Sequence, residues 1–168
     1  MVSHRSRYQL GFTLVELVLV LVVASIVAIT AGSKFFRADD ANLYSASDNT
    51  LALLHQVQLI SMQDTANLAT RCPTLVFSSS AIGVATSAQC TTAASFVVNS
   101  ANPEQIILDE IALQISQQGT ELNLPVLIRF DSWGRPQGAC GNGCTINLNH
   151  SVGQRQICVS SQGYISSC

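Results

Sequence analysis

The chain has 168 residues, a formal net charge of -2, 48% hydrophobic residues and 11% charged residues. One domain is the expectation for this length, and the apolar content excludes an intrinsically disordered chain. Ten Asp and Glu against eight Lys and Arg disfavour nucleic-acid binding over the whole surface, because such binding depends on neutralising phosphates.

A short basic leader precedes an apolar run. Residues 12–33 are mostly hydrophobic, and as a helix they measure roughly 33 Å, close to the bilayer core of about 30 Å. We therefore expect a single membrane-spanning segment, with a buried soluble helix as the alternative. Arg5 and Arg7 precede the run and predict a cytoplasmic N-terminus, with the remaining chain on the outer side.

Two residues at the start of this run are unusual. Gly11 lies immediately before the run, whereas the cleavage site of an ordinary signal peptide follows its apolar segment. Glu16 lies inside the run, where a lone carboxylate costs roughly 2.5–3.5 kcal/mol. Such a charge requires a partner or a function, unless its side chain extends to the membrane interface.

The stretch GFTLVELVLVLVV, from Gly11 to Val23, resembles the processing and assembly motif of type IV pilins and pseudopilins. The resemblance implies that a prepilin peptidase removes residues 1–11 and methylates the new Phe12 amine. It also implies that Glu16 pairs with the Phe12 amine of a neighbouring subunit in a filament, where a buried cation and a buried carboxylate are tolerable only together.

The same resemblance implies a location and a set of partners. The location is the bacterial inner membrane, with a periplasmic C-terminal domain, followed by a pilus or pseudopilus. The partners are major and minor pilin subunits, the prepilin peptidase, the inner-membrane assembly platform and the inner-membrane lipid. Nucleic acid is a disfavoured partner, because without the leader six Lys and Arg face ten Asp and Glu.

The helix is expected to continue beyond the membrane into a periplasmic head, residues 34–168. Apolar residues recur at three- and four-residue intervals from Leu43 to Ile60, without Pro or Gly between Gly32 and Pro73. This pattern predicts one helix over residues 12–64, apolar in its first part and amphipathic in its second. His55 lies beside the stripe without a second metal ligand at helical spacing, so a packing or surface histidine is expected rather than a metal ligand.

Short β-branched or aliphatic runs separated by turn-forming residues begin at Cys72. The predicted strands are residues 74–77, 96–99, 105–108, 112–115, 126–130, 145–148 and 156–160. Residues 78–102 are predicted to form a long surface loop with at most one weak hairpin. Because no helical pattern separates consecutive strands, an antiparallel sheet is expected. The predicted fold class is α+β, a long N-terminal helix packed on an antiparallel β-sheet domain, as in the pilin fold.

A second, shorter resemblance lies near the C-terminus. The F-D-x-x-G-R stretch in residues 129–136, followed by a terminal hairpin with a turn at Gln162 and Gly163, looks like the pseudopilin H and minor-pilin branch. Within it, the cysteine-rich C-terminal half is similar to a minor pilin of the mannose-sensitive haemagglutinin (MSHA) pilus. This resemblance implies a minor pilin that contributes to adhesion or pilus biogenesis, or else a minor pseudopilin of a type II secretion system.

All six cysteines lie on the outer side of the apolar run: Cys72, Cys90, Cys140, Cys144, Cys158 and Cys168. An even number in this position indicates disulfides formed in an oxidising periplasm. Sequence does not select a pairing, and our hypothesis is local pairing: Cys72–Cys90, Cys140–Cys144 and Cys158–Cys168. Zinc binding by Cys140 and Cys144 with His150 is the competing interpretation, and it is disfavoured because a second ligand pair is missing.

The turn around Trp133, the only tryptophan, is the candidate contact site for a ligand or partner. Arg129 and Arg135 flank Trp133, and an exposed tryptophan between cations stacks on bases or sugars. The favoured interpretation is that Trp133 closes the domain core and Arg135 caps the turn. No nucleotide, metal-protease or nucleophile motif occurs, so the chain is predicted to be a structural protein that needs no cofactor. A tip subunit that binds DNA, glycan or a surface is the alternative function.

Overall fold

A computed structural model describes residues 13–63, 72–87 and 96–168; the side chains of residues 29–40 and 87 lie outside this description. The described residues form one helix, α1 (Leu14–Gln63), and ten strands. The strands are β1 (Cys72–Phe77), β2 (Ala81–Ser87), β3 (Gln105–Ile107), β4 (Ala112–Gln117), β5 (Thr120–Leu122), β6 (Val126–Phe130), β7 (Pro136–Gly138), β8 (Cys144–His150), β9 (Gly153–Val159) and β10 (Ile165–Ser167).

The chain divides into two compact units, one ending at Ala38 and one comprising Asp39–Cys168. The described part of the first unit is helical. Its first turn is capped by Thr13, whose Oγ1 accepts the backbone N–H of Glu16 at 3.3 Å. A threonine at this position satisfies one of the N–H groups that a helix start leaves without an intrahelical partner.

Two five-stranded antiparallel sheets make up most of the second unit. The strand order is β3-β2-β1-β6-β7 in sheet A and β10-β9-β8-β4-β5 in sheet B. Every described strand pair is antiparallel. The prediction of an α+β fold with antiparallel strands is therefore confirmed, although the strands are divided between two sheets rather than placed in one.

The core of the second unit follows from the alternation of apolar side chains. Positions 126, 128 and 130 of β6 are buried, as are positions 144, 146 and 148 of β8, because successive strand residues point to opposite faces. In β1 all six residues are buried. Leu43, Ala46, Leu54 and Val57 of α1 belong to the same buried cluster as these strand residues, as the three- and four-residue spacing requires.

The segment of residues 78–102 differs from the prediction. It contains β2, which pairs with both β1 and β3, and Ala81 and Ile82 are fully buried. The strand predicted at residues 96–99 is wrong, because the chain there has no ladder partner among the described residues. Instead, the Gln105 side chain accepts the Asn99 N–H at 2.7 Å and donates to the Val97 carbonyl at 2.9 Å. The side-chain amide of Gln105 thus makes hydrogen bonds that a neighbouring strand would otherwise make.

Candidate functional site

The N-terminal residues singled out by the sequence lie at the start of α1. Gly11 and Phe12 fall outside the described residues. Glu16 is in the first turn of the helix, and its side chain is exposed. A carboxylate in the first turn is favoured by the positive end of the helix dipole. Glu16 is therefore accessible to a positively charged group from outside this chain.

The helix around Glu16 presents apolar side chains on all sides. From Leu14 to Val27, the large aliphatic residues are exposed in the isolated chain. Near the end of this stretch, the Ser25 hydroxyl donates to the Val22 carbonyl at 2.8 Å, so its hydrogen bond is made within the helix. An exposed apolar surface of this extent requires a covering of lipid or protein.

The turn between β6 and β7 carries the C-terminal candidate residues. Asp131 organises it: its Oδ1 accepts the backbone N–H groups of Trp133 at 2.9 Å and Arg135 at 2.8 Å. Its Oδ2 lies 3.3 Å from Nε of Arg135. Asp131, rather than Arg135, therefore caps the turn, and the positive charge of Arg135 is compensated within it.

Trp133 does not close the core, and that expectation is wrong. Its side chain is 76% exposed, because Asp131 holds its backbone at the tip of the turn. Arg129 does not accompany it at the surface. The Arg129 side chain is partly buried, and its Nε donates to Oγ1 of the fully buried Thr74 at 2.9 Å. Arg129 is thus directed to Thr74, and Arg135, paired with Asp131, is the arginine that stays in the turn with Trp133.

A second exposed aromatic residue lies on an adjoining turn. Tyr164, between β9 and β10, is 73% exposed. Gln58 of α1 joins the two turns: its Nε2 donates to the carbonyl oxygens of Gly134 and Gly163, each at 2.7 Å. Trp133 and Tyr164 are the immediate chain neighbours of these two glycines. We call Gln58 with the two turns, residues 131–135 and 160–164, the turn clasp.

Sequence reasoning missed Gln58 and Tyr164. Both glycines of the turn clasp have positive φ, 76° for Gly134 and 90° for Gly163, which only glycine adopts readily. These glycines were visible in the sequence as turn signals. The sequence does not mark Gln58 as a bridging residue, because a glutamine beside an apolar stripe is usually a surface residue. Its role becomes visible only when its two distant acceptors are known.

The family described as "Prokaryotic N-terminal methylation motif" matches residues 6–32. The matched segment contains Gly11, Phe12 and Glu16. The chain carries the methylation signal of type IV pilins and pseudopilins. The resemblance stated from the sequence is therefore confirmed, while the match does not separate the branches of these proteins. Comparison with curated proteins and comparison with solved structures each gave no match.

The methylation motif overlaps the exposed apolar helix in the described residues 13–28. Within the described parts of the chain, no helix combines the length and the hydropathy needed to cross a membrane.

The five described cysteines all form disulfides, as the even number of cysteines indicated. Cys140 is bonded to Cys144 and Cys158 to Cys168. Cys72 is also disulfide-bonded. Cys90 lies outside the described residues, so the Cys72–Cys90 pairing stays a prediction.

The residues considered as metal ligands, in the zinc alternative and at His55, have other surroundings. Cys140 and Cys144 use their sulfur atoms on one another, which leaves no thiolate pair for the proposed metal set. His150 lies with Nε2 3.7 Å from a carboxylate oxygen of Glu110, and its Nδ1 is 3.3 Å from the Ser151 hydroxyl. His55 is half-buried on α1.

Proposed function

We propose that the chain is a minor type IV pilin subunit, similar to those of the MSHA pilus. The methylation motif at residues 6–32 supports the part of this proposal that makes the chain a pilin-like subunit. The exposed aliphatic surface of residues 14–27 supports it, because a filament subunit covers such a surface with lipid before assembly and with neighbouring helices afterwards. The short C-terminal resemblance favours the minor-pilin branch, with a role in adhesion or pilus biogenesis.

The proposed subunit has three parts. Residues 1–11 form a leader that prepilin peptidase removes at Gly11, residues 12–33 anchor the chain in the inner membrane, and residues 34–168 form the periplasmic head. In this arrangement the amphipathic second half of α1 packs on the β-sheets, as in the pilin fold. The buried α1 residues Leu43, Leu54 and Val57 support that packing.

Assembly depends on Glu16 in this proposal. The carboxylate pairs with the methylated Phe12 amine of an adjacent subunit, and the pair fixes the axial register of the incoming helix. The exposure of Glu16 in the single chain supports this role. Removing one partner of a buried ion pair costs about 3–5 kcal/mol, so a subunit without the carboxylate is poorly retained in a filament.

The test is Glu16→Ala in the native host, with Glu121→Ala as the matched control. Glu121 is an exposed carboxylate on β5 of the head. We expect Glu16→Ala to be processed and membrane-inserted but reduced at least about tenfold in sheared filaments, since 1.4 kcal/mol already corresponds to tenfold. The control should assemble normally. Normal filament incorporation of Glu16→Ala would refute the proposed register role.

A minor pseudopilin of a type II secretion system is the alternative filament, since the methylation motif serves both kinds of machine. Deletion of the gene distinguishes them. Loss of surface pili with intact protein secretion supports the pilin, and loss of secretion with intact pili supports the pseudopilin.

A tip binding module is the second candidate function, and the 76% exposure of Trp133 favours it. An exposed tryptophan beside an exposed tyrosine is typical of binding surfaces, because aromatic rings contribute large contact areas at low entropic cost. Gel shifts with DNA and a screen with immobilised glycans test this function. Specific binding that is lost in Trp133→Ala or Arg135→Ala would support it, and binding that is unaffected by both variants would remove the turn from consideration.

A further inference from the structure

A pocket lies at the end of sheet B, beside the turn clasp. Three segments form its walls: the β4–β5 turn at Gln118 and Gly119, the chain around Asn142 and Cys144, and the β9–β10 hairpin with Tyr164. Its volume is ≈ 320 Å³. This is at the lower end of the range for small-molecule sites, which begins at about 300 Å³.

The described residues that line this hairpin pocket are electrically neutral. None of them is Asp, Glu, Lys, Arg or His. The polar lining consists of hydroxyl and amide side chains, Ser116, Gln118, Asn142, Thr145, Ser160 and Ser166. Hydroxyls and amides both donate and accept hydrogen bonds, so the lining matches a ligand that carries many neutral donors and acceptors. Phosphate and carboxylate ligands have no counter-charge here.

Tyr164 provides an aromatic wall. Its backbone is held on both sides by Ser160: the Ser160 N–H donates to the Tyr164 carbonyl at 2.9 Å, and the Tyr164 N–H donates to Oγ of Ser160 at 2.9 Å. The backbone of Tyr164 is therefore fixed while its side chain is 73% exposed. A pyranose ring has one face of C–H groups, which packs on an aromatic ring, and a rim of hydroxyls, which bonds to neutral polar side chains.

The walls of the pocket are stiffened by covalent cross-links. Cys144 and Cys158 line the pocket and belong to the two disulfides described above. Gly143, the residue before Cys144, adopts φ 85°, and a Cβ there would meet the Val159 carbonyl oxygen at 3.0 Å. A site that is ordered before binding loses less conformational entropy when the ligand enters.

We propose that the hairpin pocket binds a neutral sugar residue, with Tyr164 as the stacking surface and the surrounding hydroxyl and amide groups as hydrogen-bond partners. This inference deepens the second candidate function, the binding module, and rests on it. It does not depend on which filament the subunit joins.

The test uses the full chain in a detergent without a sugar headgroup, and saturation-transfer NMR with chitotriose, maltotriose and sialyllactose. We expect saturable transfer to a neutral trisaccharide with a Kd near 1 mM, which corresponds to about -4 kcal/mol. Tyr164→Ala should weaken binding at least about tenfold, whereas Tyr164→Phe should keep most of it because the ring remains. Circular dichroism confirms that the variants are folded.

Tyr44→Ala is the matched control, because Tyr44 of α1 is also an exposed tyrosine but does not line the pocket. Its affinity should be unchanged. Loss of binding in Trp133→Ala with retention in Tyr164→Ala would overturn the pocket while supporting the binding-module function at the β6–β7 turn. If neither chitotriose nor maltotriose shows saturation transfer, or if sialyllactose is preferred, the pocket proposal is overturned as well.

Discussion

Replacing Gln58 is expected to destabilise the turn clasp. Its side-chain amide donates two hydrogen bonds of 2.7 Å, to Gly134 on one hairpin and Gly163 on another. Each intramolecular hydrogen bond contributes about 0.5–1.5 kcal/mol net. Because the site is only partly buried, water replaces some of what is lost. We therefore expect the free energy of unfolding to fall by about 1–2 kcal/mol in Gln58→Ala.

The measurement is thermal unfolding of the full chain in detergent, followed by circular dichroism. A loss of 1–2 kcal/mol corresponds to a Tm decrease of roughly 2–8 °C for a chain of this size. Trp133 emission gives a local readout, since Trp133 is the only tryptophan in the chain and precedes Gly134. Gln58→Met keeps the bulk of the side chain but removes both donors, so its Tm should fall at least as far as that of Gln58→Ala.

Gln56→Ala is the control, because Gln56 is exposed two residues earlier on the same helix. Its Tm should be unchanged or slightly higher, since alanine favours helix more than glutamine does. If Gln58→Ala and Gln56→Ala unfold within about 1 °C of one another, the two hydrogen bonds contribute no net stability and the reasoning is refuted.

Three further predictions use the same unfolding assay. Ser61 Oγ is buried without a hydrogen-bond partner in the described parts of the chain, so Ser61→Ala should raise the unfolding free energy by up to about 1 kcal/mol. Thr74→Val removes the acceptor of the Arg129 hydrogen bond and should lower the unfolding free energy by about 1.5–3 kcal/mol. Equal changes in Ser61→Ala and Thr74→Val would contradict both assignments. Gly163→Ala should be about 1–3 kcal/mol more destabilising than Gly119→Ala, because both glycines have positive φ but only at Gly163 would a Cβ collide with the Gly134 carbonyl. Similar losses of unfolding free energy in the two variants would show that the positive φ alone, and not the collision, determines the destabilisation.

The sequence predicted the regular parts of the fold well. The VLIRF strand was predicted at its observed bounds, Val126–Phe130, because it is a short aliphatic and aromatic run that follows a proline. The sequence was less informative about β2, because its Ala, Ser and Thr residues are also typical of loops. Burial between β1 and β3 stabilises β2, and that arrangement depends on partners that local composition does not reveal.

The candidate site likewise has features that the sequence predicted and features that it did not. The methylation motif was recognisable because it is a contiguous pattern with fixed spacing, and the family match confirms it. The turn around Trp133 was also predictable, but its exposure was not, since a lone tryptophan more often lies in a core. The turns that carry Trp133 and Tyr164 are joined by Gln58, which is separated from its two acceptors by 76 and 105 residues. Local sequence patterns do not reveal contacts at that range.

The chain alternates between the two sheets as it proceeds. After β1, β2 and β3 in sheet A it enters sheet B with β4 and β5, returns for β6 and β7, and completes sheet B with β8, β9 and β10. Until β8 pairs with β4, the β4–β5 ribbon is an isolated hairpin, which is marginally stable in water. A chain that has been synthesised only as far as residue 143 therefore exposes unfinished strand edges, so the second unit completes its fold only when nearly all of its strands are present.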